Sequence, residues 1–222
     1  MKQKEHVLIV FPHPDDEAFS SSGTIIQHTR AGVPVTYLCG TLGQMGRNLG
    51  NPLFANRETL KDVRKKELLD ACDVLGIKDV RMLGLHDKTL EFEDPSYIAN
   101  MITEVIEEIN PTLIITFYPE HGVHPDHDAM SNAVMLAVSA LPEENHPEIY
   151  GKAILNNSVQ LLGPPDITID IKSVAEEKLK AIKAHLSQTS GWVEDLEIKL
   201  KADSPEIENW LYKETFWTVK TK

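Results

Sequence analysis

The sequence predicts an α/β fold, an open and mostly parallel sheet with helices on both faces, in a single domain spanning residues 1–222. Two observations carry that prediction. Four β–α units follow one another, and their strands read as unbroken apolar runs rather than alternating ones, as expected where helices cover both sides of a sheet. A chain of 222 residues, 41% hydrophobic and 25% charged, is also long enough to bury a core without staples and ordinary enough in composition to exclude a disordered or fibrous class.

The first unit is a strand from His6 to Phe11 and a helix from about Glu17 to Ala31. A strand from Val33 to Cys39 and a helix from about Arg57 to Leu75 form the second. The third joins strand Asp79 to Leu83 with helix Ser96 to Ile109, which Pro95 precedes and Asn110-Pro111 ends. The fourth runs from strand Thr112 to Phe117 into a helix from about His127 to Leu141. Such a succession gives a Rossmann-like open sheet. Further on, strands are expected near Ala153 to Asn157 and from Asp166 to Ile171, with a helix Ser173 to His185. The tail from Pro205 to Trp217 reads as a short helix and an edge strand, packed through Trp210, Phe216 and Trp217.

Composition narrows the partners. A net charge of −12 disfavours nucleic acid and anionic membrane surfaces. No apolar run approaches the ~20 residues of a membrane span, and the first is too short for a signal-peptide core, so a cytoplasmic protein is expected. Cys39 and Cys72, both among apolar residues, read as reduced core thiols. Gln44 to Lys66 departs from the acidic average, with Arg47, Arg57, Lys61, Arg64, Lys65 and Lys66 against Glu58 and Asp62. That excess suits either a solvated helix face or a small anionic ligand.

Open α/β sheets bind ligands beyond the carboxyl ends of their strands. The first predicted strand is followed by His13-Pro14-Asp15-Asp16-Glu17, the second by Thr41-Leu42-Gly43-Gln44, the third by His86-Asp87, and the fourth by His121-Gly122-Val123-His124-Pro125-Asp126-His127. Proline and acids suit any helix start. Histidine before the proline is not asked for there, and a histidine at position 127 is disfavoured when charged, because cations are unfavourable at a helix N-terminus. Metal binding accounts for both. Imidazole nitrogens with a carboxylate suit Zn²⁺, and three protein ligands with an open fourth position mark a catalytic site.

The paired motifs His13-Pro14-Asp15-Asp16-Glu17 and His124-Pro125-Asp126-His127 resemble those of the LmbE-like, PIG-L type zinc-dependent de-N-acetylases. The resemblance continues through Arg64-Lys65-Lys66-Glu67, Leu83-Gly84-Leu85-His86-Asp87 and His185-Leu186-Ser187-Gln188, and Thr41 to Asn48 is similar to the branch acting in bacillithiol biosynthesis. It implies one Zn²⁺ per chain on His13, Asp16 and His127, with Asp15 as the general base toward water. It also implies that a protonated His124 steadies the oxyanion and that Asp126 orients an imidazole. For the substrate it implies Asp87 on sugar hydroxyls, with Arg64 and Arg47 gripping the carboxylates of an anionic glycoside, N-acetylglucosaminyl malate. Departures are Gln44 where relatives often carry Glu, Pro12 before the first motif, and His121-Gly122-Val123 where some carry a tyrosine. Tyr212 and His121 are the candidates to stand in for that tyrosine or to reach the metal, with packing the stronger expectation for Tyr212. His6, His28 and His146 are expected in packing or surface roles.

Other readings are a metal-dependent phosphoesterase and a non-catalytic sugar- or nucleotide-binding module. Gly40 to Gly46 lacks the dinucleotide Gly-x-Gly-x-x-Gly spacing. Free N-acetylglucosamine and cysteine-conjugate amides stay open as substrates, as does a homo-oligomer.

Overall fold

The fold is described from a computed structural model, for residues 5–191, 193, 196, 198 and 210–221. The chain runs through β1 (Val7–Phe11), α1 (Asp16–Ser20), α2 (Ser22–Arg30), β2 (Val35–Thr41), α3 (Leu60–Leu75) and β3 (Asp79–Leu85). It continues with α4 (Pro95–Ile109), β4 (Leu113–Phe117), α5 (Pro125–Ser139), β5 (Glu148–Lys152), α6 (Ser158–Leu162), β6 (Ile167–Asp170), α7 (Ala175–Ala184), α8 (Leu186–Thr189) and β7 (Lys213–Thr218). The strand order is β3-β2-β1-β4-β5-β7-β6, parallel through the first five and antiparallel where β7 pairs with β5 and β6.

β1 lies centrally, and its alternating side chains divide the core. Val7, Ile9 and Phe11 join a cluster with α2, α3 and α7, while Leu8 and Val10 join one with α4 and α5. Helices therefore cover both faces, which is why β1 and β4 are buried along their whole length. Cys39 and Cys72 are buried free thiols. Among the described residues no helix is long and apolar enough to cross a membrane.

Several expectations need correction. The helix expected from Glu17 to Ala31 is two helices, broken at Ser21. The break gives α2 its own N-terminus, where the buried Glu214 carboxylate accepts from Gly23 N (2.9 Å) and Thr24 N (2.8 Å). A side chain at Gly23 would meet Ile171 at 2.6 Å, so glycine allows this close approach. The strand expected near Ala153 to Asn157 is instead Glu148–Lys152; Ile154 and Leu155 lie in a loop whose amides donate to the His121 carbonyl. The tail strand is not an edge: β7 lies between β5 and β6, and β6 takes the edge. The helix expected at the start of that tail falls on 205–209, outside the described residues, whereas Trp210 and Leu211 are helical.

This topology opens a crevice at one end of the sheet. The chain builds outward from β1 to β2 and β3, then crosses to the other side of β1 for β4. The strand order thus reverses between β1 and β4, and the crevice beyond their carboxyl ends is the natural binding place of an open α/β sheet. The segments leaving β1 and β4 are those that carry the two histidine motifs.

Candidate active site

Beyond β1 the chain turns sharply through His13-Pro14-Asp15 into α1. Asp15 takes φ 103°, a left-handed conformation that a non-glycine residue holds only when its surroundings enforce it. The enforcement is visible. Asp15 N donates to Glu17 Oε2 (3.1 Å), Tyr37 Oη donates to the His13 carbonyl (3.1 Å), and Arg64 Nη2 donates to Asp15 Oδ2 (2.9 Å) and to the Pro14 carbonyl. Glu17 is fully buried, with Oε1 bonded to His185 Nε2 (2.7 Å) and Oε2 accepting from Tyr37 Oη (3.2 Å). Burial alone would lower the His185 pKa, but Glu17 outweighs it and raises it.

Beyond β4, His124 caps α5, its Nδ1 accepting from Asp126 N (3.1 Å), and Pro125 takes the first helical position. The capped helix brings His127 back over the sheet, where its ring stacks on Phe117 at 4.0 Å between centroids. Gly122 is required beside it, since a side chain there would lie 2.4 Å from His127 Cβ.

The hydrogen bonds determine both tautomers. His127 Nδ1 lies 2.6 Å from the Gly122 carbonyl, which only accepts, so Nδ1 carries the proton and Nε2 presents a lone pair. His13 Nε2 lies 3.1 Å from Asp126 Oδ2 and 3.2 Å from Asp87 Oδ1, which as carboxylates also accept, so Nε2 keeps its proton and Nδ1 is the nitrogen that presents a lone pair once a cation takes the place of its proton. These two nitrogens face each other at 3.2 Å, with Asp16 Oδ2 3.5 Å from His13 Nδ1 and Asp16 Oδ1 3.5 Å from His127 Nε2. Three such groups need a positive charge among them, either a proton on His13 or a metal cation in its place. A tetrahedral Zn²⁺ with bonds of ~2.0–2.2 Å spaces its ligands by ~3.3–3.6 Å, and the imidazole pair at 3.2 Å with an Asp16 oxygen 3.5 Å from each ring is compatible with that ion. Burial would lower the His13 pKa, yet Asp126, Asp16 and Asp87 together hold it well above the usual histidine value. Burial likewise would raise Asp16, but His127 and His13 bring it down.

A second grouping of donors, His13, His124 and Asp126, suits a cation less well. Asp126 is fully buried and already accepts from Lys88 N (2.7 Å) and Leu90 N (3.2 Å), and His124 Nδ1 is engaged as the cap. Asp126 therefore lies beneath the site and orients His13.

A cleft of 380 Å³ lies over these groups. His13, Asp15, Asp16, His124 and His127 line it, as do Arg47, Arg64 and Asp87. Asp15 retains 19% side-chain exposure, and burial pushes its pKa up to about 6 against the lowering effect of Arg64. His124 is shifted down, by burial and then by the charge of His13. With Nδ1 accepting, it is held as a neutral ring with a proton on Nε2. Asp87 is buried and braces two segments at once, His13 through Oδ1 and Met45 N through Oδ2 (2.7 Å). Burial opposes its ionisation, but His13 and Met45 N bring the pKa down to about 2. Arg64 is buried against the chain, donating to Gly43 O (3.0 Å), Pro14 O and Asp15, whereas Arg47 stands exposed at the rim.

His121 and Tyr212 are not part of this group. His121 Nδ1 bonds Ser158 Oγ (2.9 Å), and Tyr212 packs in a small cluster with Ala175 and Leu211. Lys88 and Gln188 line the cleft; Lys88 was not singled out from sequence, and Gln188 stood in a stretch of resemblance without a site role. Lys88 directly follows Asp87 at the end of β3, so the rule that flagged Asp87 also reaches it. Tyr37 is hidden mid-strand, where nothing in sequence distinguishes it from a core residue.

The profile of the PIG-L family, described as GlcNAc-PI de-N-acetylase, matches residues 8–138. The chain is 56% identical over 217 residues to a Bacillus cereus protein named probable N-acetyl-alpha-D-glucosaminyl L-malate deacetylase 2, covering 98% of this chain and 99% of that one. It is 50% identical over 217 residues to a Bacillus subtilis protein of the same name, covering 98% of each. Among solved structures, the N,N'-diacetylchitobiose deacetylase of Pyrococcus horikoshii superposes with a TM-score of 0.77 at 26% identity, covering 98% of this chain and 85% of that chain. The relatives place the chain among carbon–nitrogen hydrolases of the deacetylase class. Within that class, the chain belongs to the PIG-L family of de-N-acetylases.

Proposed function

We propose that the protein hydrolyses the acetamide of N-acetyl-α-D-glucosaminyl L-malate, releasing acetate and the free glucosaminyl amine, with one Zn²⁺ per chain held by His13, Asp16 and His127. Near-full-length identity to proteins named for that deacetylation supports the substrate. The observation that carries the chemistry is the cluster of His13 Nδ1 and His127 Nε2, 3.2 Å apart, with the Asp16 carboxylate setting one oxygen 3.5 Å from each, beside a carboxyl group that burial poises near neutrality.

When bound, Zn²⁺ supplies Lewis acidity, lowering the pKa of water and polarising the acetamide carbonyl. Asp15 takes the proton from the attacking water, and Arg64 holds the carboxylate in the orientation that does so. His124, neutral and with Nε2–H free, donates to the oxyanion that forms as water adds to the carbonyl carbon. This differs from a protonated His124, the form expected from sequence. Asp15 then returns its proton to the nitrogen as the carbon–nitrogen bond breaks. Asp87 and Asp126 keep His13 in the tautomer that presents Nδ1. At the rim, Arg47 and Lys88 suit the two malate carboxylates, Arg47 through its bidentate fork.

The test is acetate release from the malate glycoside, free N-acetylglucosamine and a cysteine-conjugate amide, using metal-depleted and zinc-reconstituted protein. Activity is expected chiefly on the malate glycoside and only after zinc is restored. Equal activity after metal depletion overturns the mechanism, and preference for another amide overturns the substrate.

A further inference from the structure

The His127 ring is held from two sides. Stacking on Phe117 fixes the plane of the ring but not its rotation within that plane; the bond from Nδ1 to the Gly122 carbonyl, at 2.6 Å, fixes the rotation and the tautomer together. Glycine has the widest backbone freedom of any residue, so a glycine carbonyl can orient a ring only where something else holds the glycine.

The hold comes from both ends of one peptide. The link between His121 and Gly122 has its carbonyl accepting from Ile154 N (2.9 Å) and Leu155 N (3.3 Å), while its N–H donates to Asp128 Oδ1 (3.1 Å). His121 is tied further through Nδ1 to Ser158 Oγ (2.9 Å). On either side of this peptide, Glu120 and Val123 take φ 64° and 67°, left-handed values that non-glycine residues keep only where their surroundings enforce them. Asp128 directly follows His127 in the first turn of α5, so the ring and the carboxylate that secures its partner rise from consecutive positions of one helix.

Asp128 does not line the catalytic cleft. With Glu120, Val123, Pro125 and Leu155 it lines a separate cavity of 550 Å³, so its influence on the reaction runs through Gly122 and His127 rather than through substrate. Removing its carboxylate leaves the N–H of the buried Gly122 without that acceptor, and a buried donor so stranded turns to find another partner, taking the glycine with it.

We propose that Asp128 is a positioning residue for the metal centre: by accepting from Gly122 N, it fixes the glycine whose carbonyl sets the orientation and tautomer of His127. Its effect on zinc rests on the ligand set proposed above; its hold on the His127 ring does not. An acid in the first turn of a helix also favours the helix dipole, a role that needs charge but no particular acceptor geometry. Asparagine separates the two, because it keeps the acceptor oxygen and loses the charge.

Two measurements on full-length, metal-depleted protein test the proposal. In a zinc titration against a chelating dye, Asp128→Ala is expected to weaken affinity about 10–100-fold, the usual effect of disturbing the support behind a ligating histidine, and Asp128→Asn to stay within about threefold of the wild type. In nitrogen NMR of the histidine rings without metal, His127 is expected to carry its proton on Nδ1 in the wild type and in Asp128→Asn, and to lose that fixed tautomer in Asp128→Ala. Should Asp128→Ala fail to fold, Asp128→Ser, whose oxygen stands one bond nearer the helix, is read in its place with the same losses expected. The proposal is overturned if the variant that is read keeps the wild-type tautomer or the wild-type affinity, or if Asp128→Asn loses as much as Asp128→Ala, the result of a charge effect on the helix. A wild type that binds no zinc contradicts the ligand set instead, and the tautomer then decides the role of Asp128.

Discussion

The ionisable side chains of the cleft differ in their hydrogen bonds and in their charge surroundings. Asp15 and Asp16 are neighbours in sequence, yet Asp16 faces two imidazoles and is held low, while Asp15 faces Arg64 and a wall of protein and is raised to about 6. Asp15→Asn is therefore expected to retain zinc and lose turnover by about 10²–10⁴-fold, whereas His13→Ala loses the metal itself; metal content beside steady-state rates checks both. Asp15 must be ionised to take a proton, so kcat/KM is expected to fall as pH drops through its pKa, at about 6 or below once a cation neighbours it. Arg64 lowers that pKa, so Arg64→Gln should move the acid limb to higher pH in a pH–rate profile. A limb that stays in place would mean the titrating base is another group.

At the scale of elements, the motif residues were legible because they follow strands, but their support was not. Glu17 appears in the first motif without a visible task; only the fold brings Tyr37, 20 residues on, and His185, 168 residues on, to its two oxygens. The same holds for Glu214, which reads in sequence as an unremarkable acid before Thr215 and Phe216. Folded, it caps α2 and pairs with Lys178 inside the protein, which is why the helix expected to be continuous breaks at Ser21. Burial would raise the Glu214 pKa, but Lys178 and the Thr24 donors hold it below the ordinary glutamate value. A carboxyl depressed in the folded state contributes stability that is complete above its unfolded pKa and lost as pH falls through the folded one. Glu214→Gln is expected to destabilise the fold by roughly 3–5 kcal/mol near neutral pH, because it leaves Lys178 buried without its partner, and the difference from wild type should shrink in acid. Urea unfolding at two pH values checks this, and a pH-independent difference would remove the ion pair from the account.

For the whole molecule, apolar runs and their alternation with helices identified the sheet, its parallel part and the end of it at which the two histidine motifs gather. Period-based reading failed where the β–α rhythm stopped. After β5, which still pairs parallel with β4, the strands pair antiparallel over long distances, so β7 inserts between β5 and β6 with no local signal. The crossing of the chain from β3 to β4 brings residues 13 and 127 together, and on that approach the catalytic reading depends. The most direct measurement is anomalous diffraction at the zinc edge from a crystal of zinc-loaded protein. The predicted result is one peak within about 2.0–2.2 Å of His13 Nδ1, His127 Nε2 and an Asp16 oxygen, with Asp15 outside bonding distance. A peak bound by His124 and Asp126 instead, or one that takes Asp15 as a ligand, would contradict it.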